Sequence, residues 1–236
     1  MPKWLVRLKG ERFDLEDLPQ LLCSSELSII EENNAFYLRS SKFDSLTSLD
    51  DVHERASAFI KIINSVAKFY RQDFLEVSED VITRIDDDDK RQHYVSLEGT
   101  IIPRGKVSAQ PTVTTANETE QVTTQPSQLQ SLLELAQKHK VIADALSFYR
   151  DDAWISLYKV YEIIRDDVGG TPRLLKQSWV ADAEISRFTQ TAQSRAALGD
   201  SARHASEKYH APSQPMTISE ARTLIHTILS RWVSSK

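Results

Sequence analysis

Apolar and polar positions alternate at the start of the chain. Trp4, Val6 and Leu8 interleave with Leu5, Arg7 and Lys9, a period of two that predicts a strand with one better-buried face. Phe13 to Leu22 reads as a short helix. Two apolar runs, 27–30 and 35–38, flank Glu31-Glu32-Asn33-Asn34, and an Asn pair tolerates the left-handed backbone of a tight hairpin. Asp50 or Asp51 is placed to cap a longer helix, in which Val52, Ala56, Phe59, Ile60, Ile63, Ala67 and Tyr70 draw one stripe to lie on a sheet. Residues 81–85 and 93–101 predict a second strand pair around an acidic turn. This order predicts an α+β domain over residues 1–102, an antiparallel or mixed sheet with two helices.

The pattern then lapses. Residues 103–126, rich in Thr, Gln and Pro, carry no aromatic side chain and no helical period, so burial cannot offset their ordering entropy and a disordered linker is expected. From residue 127 only helical periods remain. Ser127 caps a stripe of Leu129, Leu132, Leu133 and Ala136, continued or restarted through Ile142, Ala145, Leu146 and Tyr149. Asp151 or Asp152 opens a helix carrying Trp154, Leu157, Tyr158, Tyr161 and Ile164, which Gly169-Gly170 ends before Thr171-Pro172 starts a short piece. Ile185, Phe188, Ala192 and Ala196 mark another helix, and Thr217 with Glu220 forms a capping box ahead of Ala221, Leu224, Ile225, Ile228, Leu229 and Trp232. Residues 127–236 therefore read as an all-α helical bundle.

Charge divides the same way. The formal net charge of -5 comprises 15 basic against 22 acidic residues over 1–125 and 14 against 12 over 126–236. Phosphate contacts need clustered Lys and Arg, so RNA, if a partner, belongs to the C-terminal half, and the acidic N-terminal half calls for an unknown protein partner. No apolar run is long enough for a bilayer, and the start lacks a secretory pattern, so a cytoplasmic protein without membrane contact is expected. Cys23, the single cysteine, forms no internal disulfide and reads as a small buried or half-buried residue.

Three segments bear on chemistry. Asp86-Asp87-Asp88-Asp89-Lys90 lacks the ligand alternation and central Gly of a calcium loop and reads as a solvated turn. Trp154, Tyr158 and Tyr161, at helical spacing, fit core packing better than a base-stacking platform. The third is Gly199-Asp200-Ser201-Ala202-Arg203-His204-Ala205-Ser206-Glu207-Lys208-Tyr209-His210. If Asp200 caps a helix here, seven residues bring Arg203 and His210 back to one face, where they can address one phosphate. His204 then points about 100° away, and needs a non-helical turn or a second subunit to share a substrate with Arg203.

An Arg, a polar residue and a His at this spacing, within a helical bundle, resemble the HEPN superfamily. The resemblance covers the last 110 or so residues. It implies metal-independent RNA cleavage of the toxin or antiphage-defence type, with Arg203 stabilising phosphoryl charge, His210 or His204 moving the proton, Asp200 capping or orienting, and motifs paired across a homodimer. On that reading the N-terminal domain senses or recruits. The alternative is a non-catalytic interaction protein whose bundle mediates dimerisation or partner binding, with Arg203 paired to Asp200. No nucleotide-binding motif is present and the six histidines, His53, His93, His139, His204, His210 and His226, show no metal-ligand spacing, so neither cofactor nor metal is expected.

Overall fold

The computed structural model describes residues 3–97, 100–103 and 127–236. Most of the expected linker, residues 104–126, lies outside them. Two compact units divide the chain, Met1–Glu134 and Leu135–Lys236.

The first unit is a six-stranded antiparallel sheet in the order β2-β3-β1-β4-β5-β6, formed by β1 (Lys3–Lys9), β2 (Leu27–Glu32), β3 (Ala35–Ser40), β4 (Ser78–Ile85), β5 (Arg91–Leu97) and β6 (Thr100–Pro103). Register aligns Ile29, Leu38, Val6 and Ile82 in one cross-strand row, each at most 2% exposed, whereas the adjacent row of Ile30, Tyr37 and Arg7 is only half-buried. That difference is the alternation read from the first strand, expressed across strands from Val6 onward; Leu5, expected on the less-buried face, is buried as well. The β2–β3 turn is made by Asn33 and Asn34 at φ of 51° and 63°, as the hairpin requires. The strand expected over 93–101 instead ends at Leu97, and β6 returns antiparallel to it.

Helix α1 (Arg12–Leu21) packs on β2, and α2 (Leu49–Tyr70) on β4. The cap of α2 is Ser48, whose hydroxyl accepts from the Asp50 amide, while Asp50 and Asp51 occupy the first turn, where the helix dipole favours carboxylates. Buried Asn64 clasps Val77: its amide donates to the Val77 carbonyl at 2.8 Å and accepts from the Val77 N–H at 3.0 Å. Both polar ends are thus satisfied in a core that penalises unpaired ones. Cys23 is exposed, contrary to the burial expected of it, because the preceding Leu22 takes the core position at the end of α1.

Helix α3 (Gln128–Lys138) is capped by the Ser127 hydroxyl, which accepts from the Gln130 amide. Its first turns pack in the first unit, where Ser127 donates to the Leu21 carbonyl and Gln130 to the Ser24 hydroxyl. The division between units falls inside this helix.

The second unit comprises the end of α3, α4 (Lys140–Tyr149), α5 (Trp154–Asp167), α6 (Thr171–Lys176), α7 (Asp182–Gln193), a single turn α8 (Arg195–Leu198) and α9 (Ile218–Val233). Gly169 and Gly170, both at positive φ, end α5. Neither Asp151 nor Asp152 caps α5: Asp151 accepts from Ser156 further along, and Asp152 pairs with Arg222 of α9. The core is a ring cluster around fully buried Phe188, stacked on Trp154 and Tyr158 at 6.0 Å and edge-on to Tyr161 at 5.9 Å. The aromatic stripe of α5 is therefore core. Thr217 and Glu220 close the expected capping box, their hydrogen bonds holding the Glu220 carboxyl below its ordinary range.

Candidate functional site

Residues 202–216 form no helix. Gly199 enters the segment at φ 58°, Pro212 and Pro215 close it, and Tyr209 is its one large apolar side chain before Met216, so nothing there can build a buried stripe. Both ends are instead sewn to α7. The Arg203 amide donates to the Ala192 carbonyl at 2.8 Å, and the Met216 amide to the hydroxyl of buried Thr191 at 3.1 Å. Arg187 adds bonds to the carbonyls of Gln214 and Pro215.

The guanidinium of Arg203 reaches α5. Nη2 donates to Glu162 Oε1 at 2.8 Å, and the planar group lies 4.5 Å from the ring centre of Tyr158. Tyr158 itself is 3% exposed and takes a hydrogen bond from Gln193 on its hydroxyl. Glu162 follows Tyr158 by one helical turn, so ring and carboxylate lie on one face and grip the same arginine. Beside them Arg165 hydrogen-bonds Asp166, which raises its already high pKa. Burial raises the Tyr161 hydroxyl, with a bond to Thr171 opposing it.

The motif residues are distributed differently from the helical expectation. His204 is adjacent to Arg203 in space, its Nε2 3.4 Å from Nη1, and its ring stacks on Tyr209 at 4.6 Å and 16°. His210 is exposed and has no hydrogen-bond or ion-pair partner among the described residues; without a helix, the two-turn return to Arg203 is lost. Asp200 lies in a 3-10 turn, caps no helix, is almost fully exposed and pairs with Arg195 at 3.5 Å rather than with Arg203. Glu162, Gln193 and Tyr209 are the participants that sequence reasoning missed. Glu162 lies 41 residues from Arg203, a separation that no local spacing reveals.

Concave surfaces occur in both units. In the first unit a cleft of about 530 Å³ at the sheet is edged by Lys3, Arg39 and Arg91 against Glu32, Asp44 and Asp89, a balanced set of charges. In the second, a groove of about 490 Å³ between α7 and α9 is lined by Trp179, Val180, Met216 and Leu224. Among the described residues no group of three or more His, Cys, Asp or Glu side chains is placed to hold a metal ion, and no helix is long and apolar enough to cross a membrane. No known protein family, curated protein or solved structure matches the chain.

Proposed function

We propose that this is a non-catalytic interaction protein, in which Arg203 is a structural latch for the recognition surface of the helical unit. The observation that carries this reading is the engagement of the guanidinium within its own unit, on Glu162 at 2.8 Å and over Tyr158 at 4.5 Å. An arginine that stabilises a phosphoryl transition state must aim its donors at the place where negative charge develops. Here a carboxylate occupies that position and offsets the charge. The latch fixes one end of segment 202–216, and Thr191 and Arg187 fix the other, leaving the largely exposed stretch 204–213 as a pinned loop for partner contact.

One observation favours a second reading, HEPN-like metal-independent RNA cleavage. The non-helical turn brings Arg203 and His204 within 3.4 Å, so both can address one phosphate, with His204 rather than His210 carrying the proton.

The test is incubation of full-length protein, Arg203→Ala and His204→Ala with total RNA in excess EDTA, after circular dichroism has shown each to be folded. The interaction reading expects intact RNA throughout, with thermal unfolding lowered by roughly 2–4 °C in Arg203→Ala. Cleavage by the wild type that both variants lose moves the assignment to the nuclease.

A further inference from the structure

Five large apolar side chains stand exposed among the described residues, and three of them lie in one place. Phe13 is 68% exposed, Leu75 54% and Tyr70 46%. Phe13 contacts Arg71, the residue that ends α2; Tyr70 precedes it, and the Leu75 amide shares its partner Asp14. The Arg71 guanidinium is held between the rings of Phe13 at 5.0 Å and Phe74 at 5.4 Å, and pairs with buried Asp14 and with Asp17. Asp14 also accepts from the Leu75 amide at 3.1 Å, which ties the start of α1 to the loop after α2. The Tyr70 hydroxyl donates to the Gln128 carbonyl. These bonds present the apolar side chains on a fixed frame, so their exposure is not a product of a loose loop. Isolated apolar side chains are ordinary on a surface; three together, held rigidly, mark a contact site.

The rim identifies the occupant by charge. Residues 11–17 and 71–76 contain six carboxylates, Glu11, Asp14, Glu16, Asp17, Asp73 and Glu76, against two guanidiniums, Arg12 and Arg71. Both cations are already paired within the rim, Arg12 to Glu16 at 2.6 Å and Arg71 to Asp14 and Asp17. Lys68 adds a third cation at this corner, donating to the Phe74 carbonyl at 3.3 Å, so three negative charges remain in surplus. Asp73 is 80% exposed and its ion pair with Arg71 is long, 3.6 Å, so most of the carboxylate faces solvent.

We infer that the corner formed by the start of α1 and the loop after α2 docks a basic segment of another protein with at least one apolar anchor, which covers Phe13 and Leu75 while its Lys or Arg side chains meet Asp17 and Asp73. The inference rests on the interaction reading for its biological sense and on the first unit alone for its physics. Charge provides steering and orientation; burial of the apolar anchor provides the attraction that survives salt.

Full-length protein is titrated with a fluorescent twelve-residue peptide of Lys with Leu and Trp anchors, beside a Glu-for-Lys counterpart and an all-Lys peptide. Binding of the first peptide is expected to exceed both controls at least tenfold, to weaken at least tenfold in Phe13→Ser/Leu75→Ser, and to weaken several-fold in Asp17→Asn/Asp73→Asn. Both pairs change exposed side chains, and a cooperative thermal transition verifies their fold. Equal binding of the all-Lys peptide, indifference to the Phe13/Leu75 pair, or no binding of the anchored peptide overturns the inference. RNA cleavage dependent on Arg203 removes the interaction reading and leaves this titration unchanged, so the two failures are distinguishable.

Discussion

Arg71 in the first unit and Arg203 in the second share one chemical device, a guanidinium lying over an aromatic ring and tied to a carboxylate, yet the surrounding burial gives them different consequences. Arg203 rests on Tyr158, a ring 3% exposed and stacked on Phe188, so its contacts fasten an irregular segment to the core. Arg71 contacts both Phe74, a ring 3% exposed, and Phe13, a ring 68% exposed, so it is fastened to the core and also holds an apolar group toward solvent. The lesson is that an arginine–aromatic pair has no fixed role. A second, exposed ring on the guanidinium is what adds display to the latch.

The largest effect should come from removing the support beneath the latch. Phe188→Ala empties the centre of the ring cluster and is expected to cost the helical unit about 3–5 kcal/mol in denaturant unfolding. In the first unit Asp14→Ala leaves the Leu75 amide and Arg71 without their buried carboxylate, and an equilibrium loss of roughly 2–3 kcal/mol is expected. A smaller loss in that variant would mean that Asp17 alone holds the frame.

Acid should separate the units more gently. Burial pushes the Asp167 carboxyl up, but hydrogen bonds from Lys236 and Trp232 outweigh it and hold the group below the ordinary carboxylate range. A depressed folded pKa contributes stability that is present above the unfolded value, about 3.9, and is lost as pH falls through the folded value. Unfolding of the helical unit followed between pH 5 and about 2 should therefore show a larger loss in wild type than in Asp167→Asn, where depressed Glu220 still contributes. The smallest change in stability is expected from Phe13→Ser, within about 1 kcal/mol, because its ring is mostly in water and loses only the contact with Arg71. A large loss would contradict the reading of Phe13 as displayed.

Much of the fold was legible. The antiparallel α+β sheet followed by helices, the Asn33-Asn34 turn, the glycine stop after α5 and the Thr217–Glu220 capping box all rest on local chemistry, and local chemistry is what spacing records. The misses have separate physical causes. The Arg–His spacing predicts a helix around Arg203, but a helix needs an apolar face to bury, and between Arg203 and Pro215 Tyr209 is the one large apolar side chain. The caps assigned to Asp50, Asp51 and Asp200 rest on a side-chain preference that Ser48 satisfies in one case and a 3-10 turn removes in the other. Of the candidate site, the proximity of Arg203 and His204 follows from adjacency, whereas Glu162 and Tyr158 enter through packing of α5 that sequence order does not encode.

The latch is tested most directly by a double-mutant cycle, with denaturant unfolding of wild type, Arg203→Ala, Glu162→Ala and the double variant. The pair is about one-third exposed, so a coupling of roughly 0.5–1 kcal/mol is predicted, the double variant losing less than the sum of the two single variants. Strict additivity would contradict the account: Arg203 would then be energetically free of Glu162, and its guanidinium available for a ligand.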